Sequence, residues 1–315
     1  MKKILPGLLA LLLIAGCTPA QPQNQTTSSS TTSGSTASES AEKIQVMTSI
    51  HPIDQLVKAI GGDLVETTMF VKPGVDAHDF EPTAKDMAKL KEAKVLFING
   101  LGMEPWATDG AITGATKLMV LGDGLDYIPL DEGHEHEEGE DHTHEGEVDP
   151  HVWLGLPELK LMAANTATAL TLIAPEHKSD FEENLKKFNT EADALANEFH
   201  PKFVAYQGKA FVTGHEAFGY LTRSIGLEQM AVEGPFGEGE PTPQKIKELV
   251  DFVKEHRITT IFVEETASPK VSETLARETG AELVSIPTLE TSGEIFPSIR
   301  DIYQKVLTAM EKDSK

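Results

Sequence analysis

The chain has 315 residues, 39% of them hydrophobic and 24% charged, enough for one large globular domain or two of ordinary size. Acidic residues outnumber basic ones 50 to 27, and a net charge of −23 repels phosphate backbones and anionic lipid, which argues against nucleic acid as a partner and favours cations. The single cysteine excludes an internal disulfide, a four-thiolate zinc site and an iron–sulfur cluster, so a metal site has to be built from histidine and carboxylate.

Residues 1–16 follow the plan of a secretory signal: Lys2 and Lys3, then an apolar run from Ile4 to Ala15 that is too short to cross the ~30 Å hydrocarbon core as a helix. Leu13-Ile14-Ala15-Gly16-Cys17 resembles the bacterial lipobox. That resemblance implies a diacylated Cys17 as the mature N-terminus and lipid anchor. From Thr18 to Glu42, 13 of 25 residues are Ser or Thr, so residues 17–42 read as a disordered tether that cannot bury enough apolar surface to offset its ordering entropy. The folded body is expected to begin at Lys43.

From there strand-like and helical patterns alternate. Apolar β-rich runs at Ile44–Thr48, Leu64–Val71, Val95–Ile98 and Leu118–Leu121 enclose helical patterns at Pro52–Ile60, Thr83–Glu92 and roughly Met103–Ile112. After residue 200 strands are expected at Ala210–Thr213, Glu228–Val232, Thr260–Val263 and Leu283–Ile286. Helices are expected at His215–Ile225, Thr242–His256, Pro269–Thr279 and Ile295–Met310. Such alternation implies βα units and mainly parallel sheets, and two groups of four strands suggest two α/β lobes, although a count leaves a barrel open. Between the groups, Pro157–Leu172 reads as one helix. After the Ala174-Pro175 break a second runs from Glu176 to about Phe203, where Phe181, Leu185, Phe188, Ala192 and Leu195 recur at three- and four-residue steps. At 1.5 Å per residue it would reach ~40 Å, a stiff strut between a first lobe at 43–173 and a second at 206–315, with the link at 174–205.

Asp131–Asp149 holds ten carboxylates and His134, His136, His142 and His144, with no basic or large apolar residue. It reads as a solvated loop whose histidines capture divalent transition metals. Of the other histidines, His177, His200 and His256 lie in charged helical stretches and read as solvated, and His51 follows the first strand as a packed or supporting residue at the edge of a cleft. His78, in a turn-rich segment after a strand, His151, in Asp-Pro-His, and His215, at a strand end, are each placed where open parallel sheets face their ligand crevice. Three imidazoles and one carboxylate form a donor set that suits tetrahedral Zn(II) better than Mn(II). The carboxylate candidates are Glu264, Glu265 and Glu290, and spacing alone does not choose among them. Affinity is expected to fall as pH drops below ~6.5, where free imidazole protonates.

The lipobox, the tether, Gly74-Val75-Asp76-Ala77-His78-Asp79-Phe80-Glu81-Pro82-Thr83, Asp149-Pro150-His151-Val152-Trp153 and Thr213-Gly214-His215 occur in the order seen in the metal-binding lipoproteins of bacterial ABC importers. From Lys43 to the C-terminus the chain resembles the zinc-specific branch of that solute-binding family. The resemblance implies two four-stranded α/β lobes joined by one long rigid helix, with zinc bound between them by His78 and His151 of the first lobe and His215 of the second. Many members carry Asp in a Leu-Asp-Pro-Leu segment after the last strand. Here Ser285-Ile286-Pro287-Thr288-Leu289-Glu290 lacks it and matches the variant that uses a glutamate, making Glu290 the fourth ligand. The implied protein is no enzyme but a monomer on the outer face of the cell membrane, held by lipid on Cys17, that binds Zn(II) and passes it to an ABC permease. The rival readings are a manganese or iron binder of the same fold, an adhesin, and a secreted zinc hydrolase with Glu216 as base. Against the hydrolase, the chain has no His-Glu-x-x-His motif.

Overall fold

The computed structural model describes residues 43–107, 116–130, 148–236, 241–264 and 269–314. Ala41–Lys315 forms one compact unit. Within it lie two four-stranded, wholly parallel sheets built on one permutation. The first contains β1 (Ile44–Thr48), β2 (Val65–Met69), β3 (Val95–Ile98) and β4 (Lys117–Val120) in the order β2-β1-β3-β4. The second contains β5 (Ala210–His215), β6 (Glu228–Glu233), β7 (Thr260–Val263) and β8 (Glu282–Ser285) in the order β6-β5-β7-β8. In both, the first and third strands are central. The Val-Leu-Phe-Ile run of β3 is buried at every position, as a parallel strand covered on both faces requires.

The helices are α1 (His51–Gly61), α2 (Ala84–Leu90), α3 (Leu156–Ile173), α4 (Lys178–Phe203), α5 (Gly219–Ile225), α6 (Pro243–Glu255), α7 (Pro269–Thr279) and α8 (Ile295–Asp313). Local chemistry sets their ends. Pro52 sits in the first turn of α1, and α2 opens on a capping box in which the Thr83 side chain accepts from Asp86 N while the Asp86 carboxylate accepts from Thr83 N. The 26 residues of α4 span roughly 39 Å. Its buried stripe of Phe181, Phe188, Ala192, Leu195, Phe199 and Phe203 packs on α1 and α3 at one end and α8 at the other, where Phe199 stacks on Tyr303 with centroids 5.4 Å apart. The main core runs unbroken from Val46 and Phe97 in the first sheet through this stripe to Phe211 and Phe262 in the second. No helix among the described residues is long and apolar enough to cross a membrane.

Three local expectations change. Residues 103–107 form turns where a helix was expected, because the chain arrives through Gly100, Leu101 and Gly102, all left-handed with φ of 82°, 60° and 83°; residues 108–112 lie outside the description. β5 continues through His215, paired with Glu233, and α5 starts only at Gly219. His200 is half-buried against the Tyr303 hydroxyl at 3.4 Å rather than solvated.

Candidate metal centre

Each histidine of the centre is held by its own backbone surroundings. His78 lies in the coil between β2 and α2, where its N–H donates to Asp76 Oδ1 at 2.9 Å. His151 precedes a short 3₁₀ turn, Val152–Leu154, and its N–H donates to Asp149 Oδ1 at 2.9 Å. The same reach-back by an aspartate two residues earlier therefore shapes both loops. At Asp149 it goes further, because the same oxygen accepts from His151 Nδ1 at 2.8 Å. That bond leaves His151 Nε2 with a free lone pair pointing away, the usual way a carboxylate orients a ligating imidazole. His215, the last residue of β5, donates its N–H to Glu264 Oε1 at 3.3 Å, and its carbonyl accepts from Thr213 Oγ1 at 2.7 Å and Gln229 Nε2 at 3.1 Å.

The three rings converge. One ligand atom from each of His78, His151 and His215 lies within 4.8 Å of the others, and ring centroids are 4.9 to 5.4 Å apart. His78 Nε2 and His151 Nε2 are 3.3 Å apart. Two nitrogens bound to zinc at ~2.0–2.1 Å with a tetrahedral angle between them would stand about 3.3–3.4 Å apart, so this pair already has the spacing of a tetrahedron's edge. Glu290 Oε1 lies 3.6 Å from His151 Nε2, with both side chains fully buried. Two features place it: Leu289 before it adopts a left-handed φ of 68°, and Trp153 Nε1 donates to Thr288 O at 2.8 Å, tying the loop after β8 to the turn that carries His151. A bulky residue held left-handed in the interior is strained, and such strain concentrates at sites where a neighbour's direction matters.

Loss of water dominates the protonation of this cluster. Burial, then the neighbouring His151 and His215, lowers His78 to about 3. Burial likewise lowers His151 well below 6.5 and also lowers His215. The rings are thus neutral and ready to ligate at neutral pH, and the decline in affinity expected from free imidazole moves to more acid conditions. Burial also pushes Asp149 up to about 7 and Glu264 up to about 8.

Of the sequence-derived candidates, His78, His151 and His215 come together, and Glu290 Oε1 stands 3.6 Å from His151 Nε2. Glu264 is buried against the backbone of His215, and neither it nor Glu290 belongs to the group whose ligand atoms all lie within 4.8 Å of one another. His51 bonds through Nε2 to Gly293 O at 2.8 Å and so supports the loop beyond Glu290. Glu265, the loop histidines His134, His136, His142 and His144, and the lipobox Cys17 lie outside the described residues. Sequence reasoning missed Glu104 and Tyr220, a buried carboxylate and a buried phenol that lead, the first through Asn99 and the second directly, to the backbone before His151; Asp149 stood in a quoted motif without a role. The repeated Asp-x-His spacing at 76–78 and 149–151 was the available signal for the last.

A family model described as zinc-uptake complex component A, periplasmic, matches residues 46–312. The chain belongs to this family. A Treponema pallidum protein named for metal binding is 35% identical over 260 residues, 80% of this chain and 82% of that protein. The zinc-binding lipoprotein AdcA of Streptococcus pneumoniae serotype 4 is 30% identical over 277 residues, 87% of this chain but 55% of AdcA. The chain thus spans about half the length of the AdcA proteins it matches. Among solved structures, a Zn(II)-bound variant of S. pneumoniae AdcAII superposes with a TM-score of 0.75 at 28% identity, covering 85% of this chain and 98% of that one. The two-lobed architecture is therefore the family's.

Proposed function

We infer that the chain captures Zn(II) as cargo between its lobes and delivers it to an ABC permease. The observation that carries this reading is the buried cluster of three neutral imidazoles, one pair of which already stands at the edge length of a zinc tetrahedron. His78, His151, His215 and Glu290 are the proposed ligands, two from a first lobe at 43–173 and two from a second at 206–315, with 174–205 as the link. A carboxylate beside three imidazoles offsets half the ion's charge and fills the fourth position, so no site is left for a substrate or an activated water. That supports transport over hydrolysis, as does membership of a zinc-uptake family with zinc-binding relatives. Binding would exchange the ion's water for three imidazoles that need no deprotonation at neutral pH.

An extracytoplasmic location follows from the same family description and from the lipoprotein relative. We propose the finer form of it: the signal peptide is residues 1–16, Cys17 carries the lipid, residues 17–42 are the tether, and the chain acts as a monomer. The histidines of 131–149 would concentrate metal close to the site.

Metal analysis and competitive chelator titration of the whole mature chain test the reading. One tight zinc per chain is expected, surviving deletion of 131–147 and lost in His215→Ala. Zinc that disappears with 131–147 and persists in His215→Ala would overturn it.

A further inference from the structure

The side chain that fixes His151 most indirectly comes from the opposite lobe. Tyr220 on α5 is fully buried, and a phenol hydroxyl in such a place is costly unless bonded. It uses both capacities: it accepts from Ile128 N at 3.1 Å and donates to Asp149 O at 2.8 Å. Ile128 O in turn accepts from Asp149 N at 2.9 Å, and Pro129 bridges Val148 in antiparallel fashion. The chain leaves the described residues after 130 and returns at 148, so one hydroxyl gathers the two ends of the acidic segment. Immediately beyond that closure stands Asp149, whose Oδ1 holds both Nδ1 and N of His151.

Two neighbours make the contact specific. Gly219 lies against Asp149, where a Cβ would come 2.7 Å from Oδ2. Arg223, one turn further along α5, reaches Glu158 Oε1 at 2.7 Å and Asp126 O at 2.7 Å, with its guanidinium over the Tyr220 ring at 5.0 Å. β5 ends at His215 and α5 begins at Gly219, so a single stretch of chain carries one imidazole directly and steadies another through Asp149. Burial pushes the Tyr220 hydroxyl up to about 12, so it keeps its proton to donate.

We propose that Tyr220 is a positioning residue for zinc: its hydroxyl ties Ile128 to Asp149 and so fixes the Asp149–His151 pair that orients the ligand. The proposal rests on the ligand assignment above. Without the hydroxyl the Asp149 carbonyl loses its partner, and the hold of the Asp149 carboxylate on the His151 ring loosens. Groups that orient ligands without touching the metal typically change affinity by roughly 10–100-fold, and a residue one step further out belongs at the lower end.

The test compares Tyr220→Phe with Tyr303→Phe in the whole chain. Tyr303 is an equally buried phenol whose hydroxyl meets Ser224 and His200, away from the site. Zinc release into excess chelator should be about tenfold faster in Tyr220→Phe and unchanged in Tyr303→Phe. The visible spectrum of the Co(II)-loaded protein should shift only in the former, and Gly219→Ala should repeat both effects. Wild-type release and an unshifted spectrum in Tyr220→Phe, or equal effects in Tyr303→Phe, would overturn the assignment. His151→Ala separates the two levels of the argument. If it loses zinc while Tyr220→Phe behaves as wild type, only the positioning role fails. If His151→Ala keeps one tight zinc, the ligand assignment fails and the positioning role with it.

Discussion

Glu104 is buried, and its carboxylate organises the loop after β3 that reaches the backbone next to His151. Oε1 accepts from Ser49 Oγ at 2.6 Å and Asn99 N at 2.9 Å, and Oε2 accepts from Gly100 N at 2.9 Å. These bonds pin the left-handed turn after β3, and Asn99 Nδ2 then donates to Pro150 O at 2.9 Å, beside His151. Complete burial outweighs the bonds and raises Glu104 to about 7. Between the unfolded value of 4.5 and 7, the folded chain holds a proton that the unfolded chain has released. Stability therefore falls as pH rises through that window, by about 1.4 kcal/mol per pH unit, and levels off above it. Glu104→Gln removes the titration, although the lost acceptor lowers stability at every pH by about 1–3 kcal/mol. Urea denaturation of both metal-free proteins from pH 4.5 to 8 should show the wild-type advantage shrinking up to pH 7 and constant beyond. Parallel curves would mean that Glu104 is ionised throughout.

At the scale of elements, α4 is where sequence and structure agree most fully, for a physical reason. Its aromatic stripe at three- and four-residue steps has no strand interpretation, and 26 residues without glycine leave no place to turn. β1, β3, β7 and α7 also match the expected bounds, because each is a short run of one character between clear breaks. The segment after β3 departs from the expected helix because, although Met103, Trp106 and Ala107 mimic helical spacing, the decisive feature is the left-handed run before Met103, held by the Glu104 carboxylate on Asn99 N and Gly100 N. The convergence of His78, His151 and His215 was legible because each stands where a parallel sheet faces its crevice, whereas spacing alone did not choose Glu290. Tyr220 and Glu104 were not legible, since a buried supporting phenol or acid looks like any other in one dimension. The stripe of α4 has its own consequence. Phe199 is fully buried, packing on Tyr303 of α8 beneath the covering Arg300, so Phe199→Ala should cost about 3–5 kcal/mol. Since it lies on the strut and not at the site, chelator titration at a temperature where both proteins are folded should return an unchanged zinc affinity. A loss of affinity matching the loss of stability would mean that α4 also sets the spacing of the lobes' ligands.

For the whole molecule the question is how a dilute cation reaches a cluster of imidazoles of which only His78 is partly exposed. His151 is fully buried and His215 is 5% exposed, so the site itself presents little field to solvent. The 50 acidic against 27 basic residues do so instead, and their summed charge of −23 acts over distances at which no single carboxylate matters. Attraction of this kind is screened, with a reach of about 10 Å at 0.1 M ionic strength and about 3 Å at 1 M. Bonds made inside the largely buried cluster are screened much less. The two halves of the binding constant should therefore respond differently. Stopped-flow measurement of zinc uptake by the mature chain, in sodium chloride from 0.05 to 1 M (values set by these screening lengths), should show association slowing several-fold. Dissociation into a chelator should stay constant over the same range. If both rates move together, salt is acting on the site rather than on the approach to it, through opening of the lobes or competition by chloride for the ion. If neither moves, the charge serves solubility alone, and capture depends on the cluster of imidazoles without help from the surface that surrounds it.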